Sequence, residues 1–564
     1  TLVRLTMSLA KLFVVLAAVI VVASALRAPA RFAPENLPVE RHRHWAVSGT
    51  VAAEEPMEVT FLLAIRDRAA LERKFWTVSD PSHPDYQNYL TLEQMTALVR
   101  PEQSKIDTLE AWFRSHGVTE WSVVPNGDAY TIKTTASTIE SMLNVRLERF
   151  KSPFVRNVEV VRSTIPYSLP FSLKNIVDLV AGISSFPSTR QTMANRDARR
   201  QSSFVTPSVV QSNLNIPAGT VGTNSNNLQA VAQFLEQYYD PQDLQAFQQE
   251  MVVPVQPVAR VIGNNQASNP GTEASLDIEY IMSTGRGVPT WFIYTSGLVN
   301  GQEPFVQWAT NLNAMSTIPW VNTISYGDYE NTISTTYMAR LDVELQKMAA
   351  RGSSILFSSG DDGVGCNSVC SKQVANWPSV SPYVTSVGGV YGGRTSGWVG
   401  DSISSGGFSA NYPMPSYQKT AVNAYLAAMS SSLPASSYFN ASNRAVPDVA
   451  AYSENVVVTV GGSDTIVGGT SCASPMMGGL FSLINDKLFA AGKKSLGFLN
   501  PLLYSTWAHN PIIFQKVTSG NNADFCCPGF NANPQGGWCP ISGMGVPDFQ
   551  ALVSTIGKAL NVQL

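Results

Sequence analysis

The spacing of apolar positions changes several times along the chain. Leu12 to Val22 is a short unbroken apolar run, with basic Arg4 and Lys11 before it and Ala23-Ser-Ala25 after it. A membrane span needs about 20 apolar residues, so residues 1–25 read as a secretory signal rather than an anchor. Residues 26–60 show little periodicity. From Val59 to Phe150 strand-like and helix-like spacings alternate. The pattern predicts a strand over Val59 to Ile65, an amphipathic helix over Glu102 to His116, a strand over Ala129 to Lys133 and a helix over Thr138 to Leu143. This describes a small α/β or α+β module. Residues 186–203 are polar, lack an apolar face and carry the dibasic pair Arg199-Arg200. They read as a linker open to proteolysis.

After Phe204 the apolar runs shorten and alternate with helical stretches. Strands are expected at Leu228 to Leu235, Val258 to Ile262, Trp291 to Tyr294, Val321 to Ser325, Ser354 to Ser358 and Val384 to Val387. Helices are expected at Glu273 to Met282, Thr336 to Ala350 and Pro475 to Lys487. Such alternation implies a mostly parallel sheet covered on both faces, with ligands beyond the carboxyl ends of its strands.

Composition sharpens this picture. Charged residues make up 14% of the chain, against about 25% in an average soluble domain. Residues 1–202 hold 24 Lys and Arg against 20 Asp and Glu, and the remainder 14 against 21. A slightly basic front and an acidic back suit two parts that pack together. No dense basic stripe or nucleic-acid motif is present, which argues against a nucleic-acid binder. All six cysteines follow residue 365, and in an oxidising compartment some should pair. Cys472, inside a serine motif, is expected to be a buried free thiol, leaving at most two bridges and one unpaired sulfur. Asn440-Ala-Ser442 is a glycosylation sequon that fits the secretory route.

Three segments carry candidate chemistry. In Gly468-Gly-Thr-Ser471-Cys-Ala-Ser-Pro475 small residues allow a tight turn ahead of an apolar helix. A serine there has backbone N–H groups and a helix dipole beside it, which suits a nucleophile and an oxyanion; the plainer reading is a helix cap. A base is required, and the histidines narrow the choice. His42, His44, His83 and His116 lie in the front part, and His509 lacks a glycine-rich setting. A Ser-His-Asp triad is therefore not expected. Glu273 and Asp277, four apart, share one helix face. Held together, one of them keeps its proton well above the usual carboxyl range, so a base of this kind works mainly in acid. Two solvated surface acids are the alternative. Finally, Asp361 in Phe357-Ser-Ser-Gly-Asp-Asp-Gly363 follows a strand. Protonated, it would donate to a developing oxyanion; otherwise the segment is an acidic turn.

In this order, Glu273-x-x-x-Asp277, Ser359-Gly-Asp361 and Gly469-Thr-Ser471 resemble the sedolisins, the serine-carboxyl peptidases with a subtilisin-like fold. The likeness extends to Gln233-Phe-Leu-Glu-Gln-Tyr238, Ile324-Ser-Tyr-Gly-Asp328, Ser381 to Gly389, Ser437 to Ser442, Pro447 to Ala451 and Gly497 to Pro501. In the front part Asn88 to Gln94 and Leu98 to Pro101 resemble an inhibitory prosegment. The resemblance implies a subtilisin-like, mostly parallel sheet flanked by helices and preceded by a small, ferredoxin-like α/β prodomain. It implies a signal over 1–25, a prodomain with linker over 26–202 and a catalytic domain over 203–564, with cleavage near Ser203 ahead of Val205-Thr-Pro-Ser-Val209. By the same resemblance Ser471 is the nucleophile, Glu273 the base, Asp277 its supporting acid and Asp361 the oxyanion acid. The implied activity is removal of tripeptides from free amino termini in acid, after self-processing of a zymogen. The implied partners are polypeptide substrates and the chain's own prodomain, in a lysosome-like compartment or outside the cell, with no membrane attachment once the signal is removed. Asp328, acidic and in the Ser-Tyr-Gly-Asp loop, is a candidate contact for the substrate amine.

One departure stands out. The family's carboxyl-terminal calcium site matches Lys516, Val517, Gly537 and Cys539, in Phe514-Gln-Lys-Val-Thr518 and Gly537-Trp-Cys-Pro540. Lys516 and Cys539 stand where the resemblance implies carboxylates, and calcium wants several oxygen ligands. No calcium or other cofactor is therefore expected. The Lys516 ammonium would occupy the space, donating to carbonyls, and Cys539 would be free to bridge to Cys526 or Cys527. A catalytically silent relative that binds peptides or partners is the alternative function, and a broad endopeptidase of the same fold is a third.

Overall fold

The protein, seen in a computed structural model, is described for residues 30–37, 45–152, 159–184, 186, 204–295 and 304–564. The expected signal at 1–25, His42, His44, the Arg199-Arg200 pair and the expected cleavage point near Ser203 lie outside the described residues.

The front module builds a four-stranded antiparallel sheet from β1 (Pro56–Leu63), β2 (Trp121–Val123), β3 (Ala129–Thr135) and β4 (Val177–Ala181), in spatial order β2–β3–β1–β4. Its helices include α1 (Arg68–Ser79), α2 (Gln103–Ser115) and α3 (Ala136–Leu143). Helix α2 buries Ile106, Leu109, Trp112 and Phe113, a stripe at helical spacing, and Trp112 and Phe113 meet Phe61 of β1 edge-on. Because strand side chains alternate, Phe61 and Leu63 face this core while Leu62 points the other way. On that second face Leu62, Ala129 and Leu179 share a core with Leu341 and Leu345 of the back part. The module is thus docked through one face of its sheet.

The back part is built on β5 (Gln229–Gln233), β6 (Arg260–Ile262), α4 (Thr272–Thr284), β7 (Thr290–Tyr294), β8 (Val321–Ile324), α5 (Thr335–Ala350), β9 (Ser354–Ser358), β10 (Thr385–Gly393), β11 (Gly397–Gly400), β12 (Val449–Tyr452), α6 (Thr470–Ala490) and β13 (Val517–Ser519). The sheet runs β6–β7–β5–β8–β9–β10–β11–β13, with β12 also paired to β10. Every pairing is parallel except β10 with β11. All six expected strands form, and each is buried or nearly so apart from β6 at the edge. Side chains alternate between two cores: Leu356 joins the one containing α6, whereas Ile355 and Phe357 join the one containing α5. Helices α4 and α6 touch so closely that a Cβ on Gly479 would stand 2.5 Å from the Gly285 nitrogen.

Two expectations need correction. The serine helix begins at Thr470 rather than Pro475, so Pro475 sits inside it. The cysteines form the expected two bridges with Cys472 a buried free thiol, but the other unpaired sulfur is that of Cys539. Cys366 bonds Cys527 and Cys370 bonds Cys526, while Cys472 and Cys539 are free and buried. The Cys526-Cys527 loop folds onto the 366–372 turn, and Cys539 is held in a separate turn that it closes with Gly543. It therefore makes neither of the bridges considered for it.

Candidate active site

Helix α6 starts with Gly469 as its cap, at φ +147° and ψ +160°, a backbone region open almost only to glycine. Ser471 is the second residue of the helix and fully buried. The cap is glycine and no side chain caps this end, so Ser471 is not serving as the helix cap. Pro475 has no N–H to give the carbonyl of Ser471 four residues back. That carbonyl lies 3.5 Å from the Ser325 hydroxyl instead.

Glu273 lies in the first turn of α4 and Asp277 one turn later, and the entire helix from Glu273 onward is buried. They are 1% and 0% exposed, which rules out a solvated surface pair. The Asp277 carboxyl accepts from Gln233 Nε2 at 2.6 Å and from Ser325 Oγ at 2.7 Å. Tyr326 in turn donates to Gln233 Oε1 at 2.7 Å, fixing which way the amide points. Asp277 is thus held by neutral donors from β5 and the end of β8. At the helix start Gln237 Oε1 accepts from the Glu273 amide at 3.1 Å. Gly271 permits that approach, since a Cβ there would come within 2.1 Å of the same oxygen.

Asp361 follows Gly360 at the carboxyl end of β9. Gly360 has φ +105°, and an added Cβ would strike Asn376 at 2.0 Å. One oxygen of Asp361 accepts from the Thr470 amide at 2.7 Å and lies 2.9 Å from the Thr470 hydroxyl. The other oxygen is enclosed and has no hydrogen-bond partner among the described residues. Thr470, the residue preceding Ser471, therefore ties Asp361 to the start of α6.

The electrostatics follow from this enclosure. Burial raises Glu273 well above the usual carboxyl range, and the nearby Asp277 raises it further, with Asp361 adding a smaller push. Ser471 is near enough to oppose this shift by hydrogen bonding, although neither Glu273 oxygen completes a well-aligned bond. Such contacts are often loose before substrate arrives. Burial pushes Asp277 up to about 8 against the bonds from Ser325 and Gln233. Burial likewise pushes Asp361 up to about 8 against the bonds from Thr470. In such a set the serine can attack a carbonyl, an ionised member of the carboxyl pair can take the serine's proton, and a protonated acid can donate to the oxyanion.

The four residues singled out from sequence thus meet in one place, contributed by α4, the end of β9 and the start of α6. Gln233, Ser325, Tyr326 and Thr470 had no assigned role in the sequence. Each lies in or beside a quoted segment, but a neutral hydrogen-bonding residue carries no signature of its own. Asp328 is three residues past Ser325, half-buried in a short strand that pairs with Trp377. One of its oxygens accepts from the Tyr329 amide at 2.7 Å. Asn440 is exposed, as a sequon requires. Lys516 and Val517 lie near the far edge of the sheet, Lys516 exposed and Val517 opposite Trp398. Gly537 has φ +114° and Cys539 is buried.

The pro-kumamolisin activation domain matches residues 43–186. Tripeptidyl-peptidase 1 of Bos taurus is 40% identical over 532 residues, covering 91% of this chain and 93% of that one. The Homo sapiens protein of the same name is 39% identical over 536 residues, with 91% and 93% covered. That of Dictyostelium discoideum is 35% identical over 535 residues, with 88% of each covered.

Proposed function

This chain belongs to the sedolisin family, among the tripeptidyl-peptidase 1 proteins, and from that premise we infer that it is an acid serine-carboxyl exopeptidase, made as a zymogen, with Ser471 as its nucleophile. It releases tripeptides from the free amino termini of polypeptides. Residues 26–202 act as prodomain and linker, and 203–564 as the catalytic domain. The observation that carries the residue roles is the convergence of Ser471, the buried Glu273–Asp277 pair and Asp361 joined to Ser471 through Thr470.

Glu273 takes the Ser471 proton as the hydroxyl attacks the scissile carbonyl, and returns it to the leaving amine. Asp277, oriented by Gln233 and Ser325, stabilises the proton on the pair. Asp361, neutral below about 8, donates from its free oxygen to the tetrahedral oxyanion. The reactive form therefore has the pair singly ionised and Asp361 protonated, so activity is bounded in acid by the pair and in base by Asp361. Asp328 meets the substrate's terminal ammonium; unchanged preference for free amino termini in Asp328→Asn would remove it from that role. An acidic, lysosome-like compartment suits this chemistry, and no helix among the described residues is long and apolar enough to cross a membrane.

The test pairs the wild-type precursor with Ser471→Ala. At about pH 4 the wild type is expected to lose residues up to about Ser203 and then hydrolyse a tripeptide reporter, and the variant to do neither. A folded wild-type precursor that does neither would favour the silent, peptide-binding reading.

A further inference from the structure

One segment that departs from the family pattern carries a positive charge, Lys516, beside the 533–545 loop. Lys516 stands between the short strand Phe514–Gln515 and β13. Its ammonium reaches the Gln535 carbonyl at 3.4 Å, a distance that sets the charge beside the dipole rather than making a strong bond. The aliphatic stem lies over Gly536, where an added Cβ would come 2.6 Å from Lys516 Cδ and 2.9 Å from Cγ. Gly536, at φ +76°, thus leaves room for this lysine. Cys539, at the other expected carboxylate position, is buried with its sulfur 3.3 Å from the Ser542 hydroxyl.

These residues do not fit calcium. The ion requires six to eight oxygens, carboxylates usually among them. Here one expected carboxylate is a cation that would repel it and the other is a thiol. Among the described residues the only group of three close acidic, cysteine or histidine ligands is Cys366, Cys526 and Cys527, and all three are in disulfides.

We propose that Lys516 acts as a fixed, covalently attached cation in place of the calcium that the family pattern implies, holding the 533–545 loop without metal. That loop supports the active-site wall. Trp538 Nε1 donates to the Pro447 carbonyl at 3.0 Å, Asn522 to the Pro540 carbonyl at 2.8 Å and Ser404 to the Ile541 carbonyl at 2.7 Å. The Ser405 amide next to Ser404 then donates to the carbonyl of Gly360, the residue before Asp361.

The test uses the full-length Ser471→Ala precursor, so that neither activity nor self-processing enters the readout. After desalting, the protein should hold no stoichiometric calcium, and its melting temperature should not move with added calcium or a chelator. One tightly held calcium per chain would overturn the proposal. Lys516→Met keeps the stem and removes the charge, and should lower the melting temperature by about 1–2 °C, with Lys516→Arg restoring it; a Met variant as stable as its parent would also overturn it. The double change Lys516→Asp with Cys539→Asp should create a site that takes up calcium, so that melting shifts upward with the ion and back with the chelator. A folded double variant indifferent to calcium would show that these two positions are not what displaced the metal.

Discussion

Two groups of buried acids in this molecule have opposite properties. Where the front module meets α5, Asp128 contacts Lys347 Nζ at 2.7 Å and Arg340 at 3.1 Å, and Glu344 contacts both cations. None of these four side chains is more than 1% exposed. Burial pushes Asp128 up, but Lys347 and Arg340 together outweigh it and hold the carboxyl below its usual range. In the active site Glu273 and Asp277 are as deeply buried, and what surrounds them is other carboxyls and neutral donors. There burial wins and the pKa values rise. Enclosure alone does not make a reactive acid; enclosure without a countercharge does.

Removing one acid from each group should separate these roles most sharply. Glu273→Gln is expected to lower kcat by about 10⁴-fold while leaving the fold intact, since an amide replaces an acid that had no cation to neutralise. Asp128→Ala should act in the reverse sense. It strands two buried cations with one partner, at a cost of about 3–5 kcal/mol, read by urea unfolding of the Ser471→Ala precursor. A Glu273→Gln enzyme of ordinary activity, or an Asp128→Ala precursor of ordinary stability, would break the contrast. Asp361→Asn comes next, with a loss of about 10²–10³ in kcat and little change in KM. It keeps the shape but leaves the Thr470 contacts and the free oxygen differently protonated.

The two groups also differ in how visible they are in the sequence. Glu273, Asp277, Asp361 and Ser471 sit in segments whose glycines and spacing mark chemistry, and the parallel sheet that gathers them follows from runs such as Ser354 to Ser358. Asp128 sits in Asn126-Gly-Asp128, which reads as an ordinary turn. Its partners lie more than 200 positions away, at Arg340 and Lys347. Buried ion pairs of this kind are made by docking one face of a sheet onto another element, and no local pattern announces them. The start of α6 is hidden in the sequence for a related reason. Pro475 suggests a first turn, but the tertiary contacts of Thr470 with Gly360 and Asp361 begin the helix earlier. The choice of Cys366 and Cys370 as partners for Cys527 and Cys526 depends on the same kind of long-range folding.

The contrast in pKa fixes the sign of two pH dependences. A group raised in the folded state contributes stability that is complete below its unfolded pKa and is lost as pH rises through the folded value. For Asp361 that loss should extend from about 4 to about 8, and the one proton that the Glu273–Asp277 pair shares in its reactive form adds to it in the same direction. Asp128, lowered, contributes stability that is present above its unfolded pKa and is lost only as pH falls through its folded value. Melting temperature should accordingly decline from pH 5 to 8, and a Glu273→Gln, Asp277→Asn, Asp361→Asn triple variant should flatten that decline. A wild type that grows more stable over this window would contradict the assignment.

The smallest expected effect probes whether neutral donors poise Asp277 as cations poise Asp128. Ser325→Ala removes one of two bonds that oppose the rise of Asp277. Asp277 should then titrate higher, so the singly ionised pair becomes scarcer at any given acid pH. A hydrogen bond to a charged group contributes about 1.5–3 kcal/mol, and Gln233 still supplies the second bond. The drop in kcat at the working pH is thus expected to be about tenfold, the lower end of that range. The distinguishing readout is the acid limb of the pH–rate profile, which should move toward higher pH, with KM unchanged. A loss of activity with an unmoved acid limb would mean that Ser325 only holds the Ser471 backbone, which it approaches at 3.5 Å, and does not tune the acid pair.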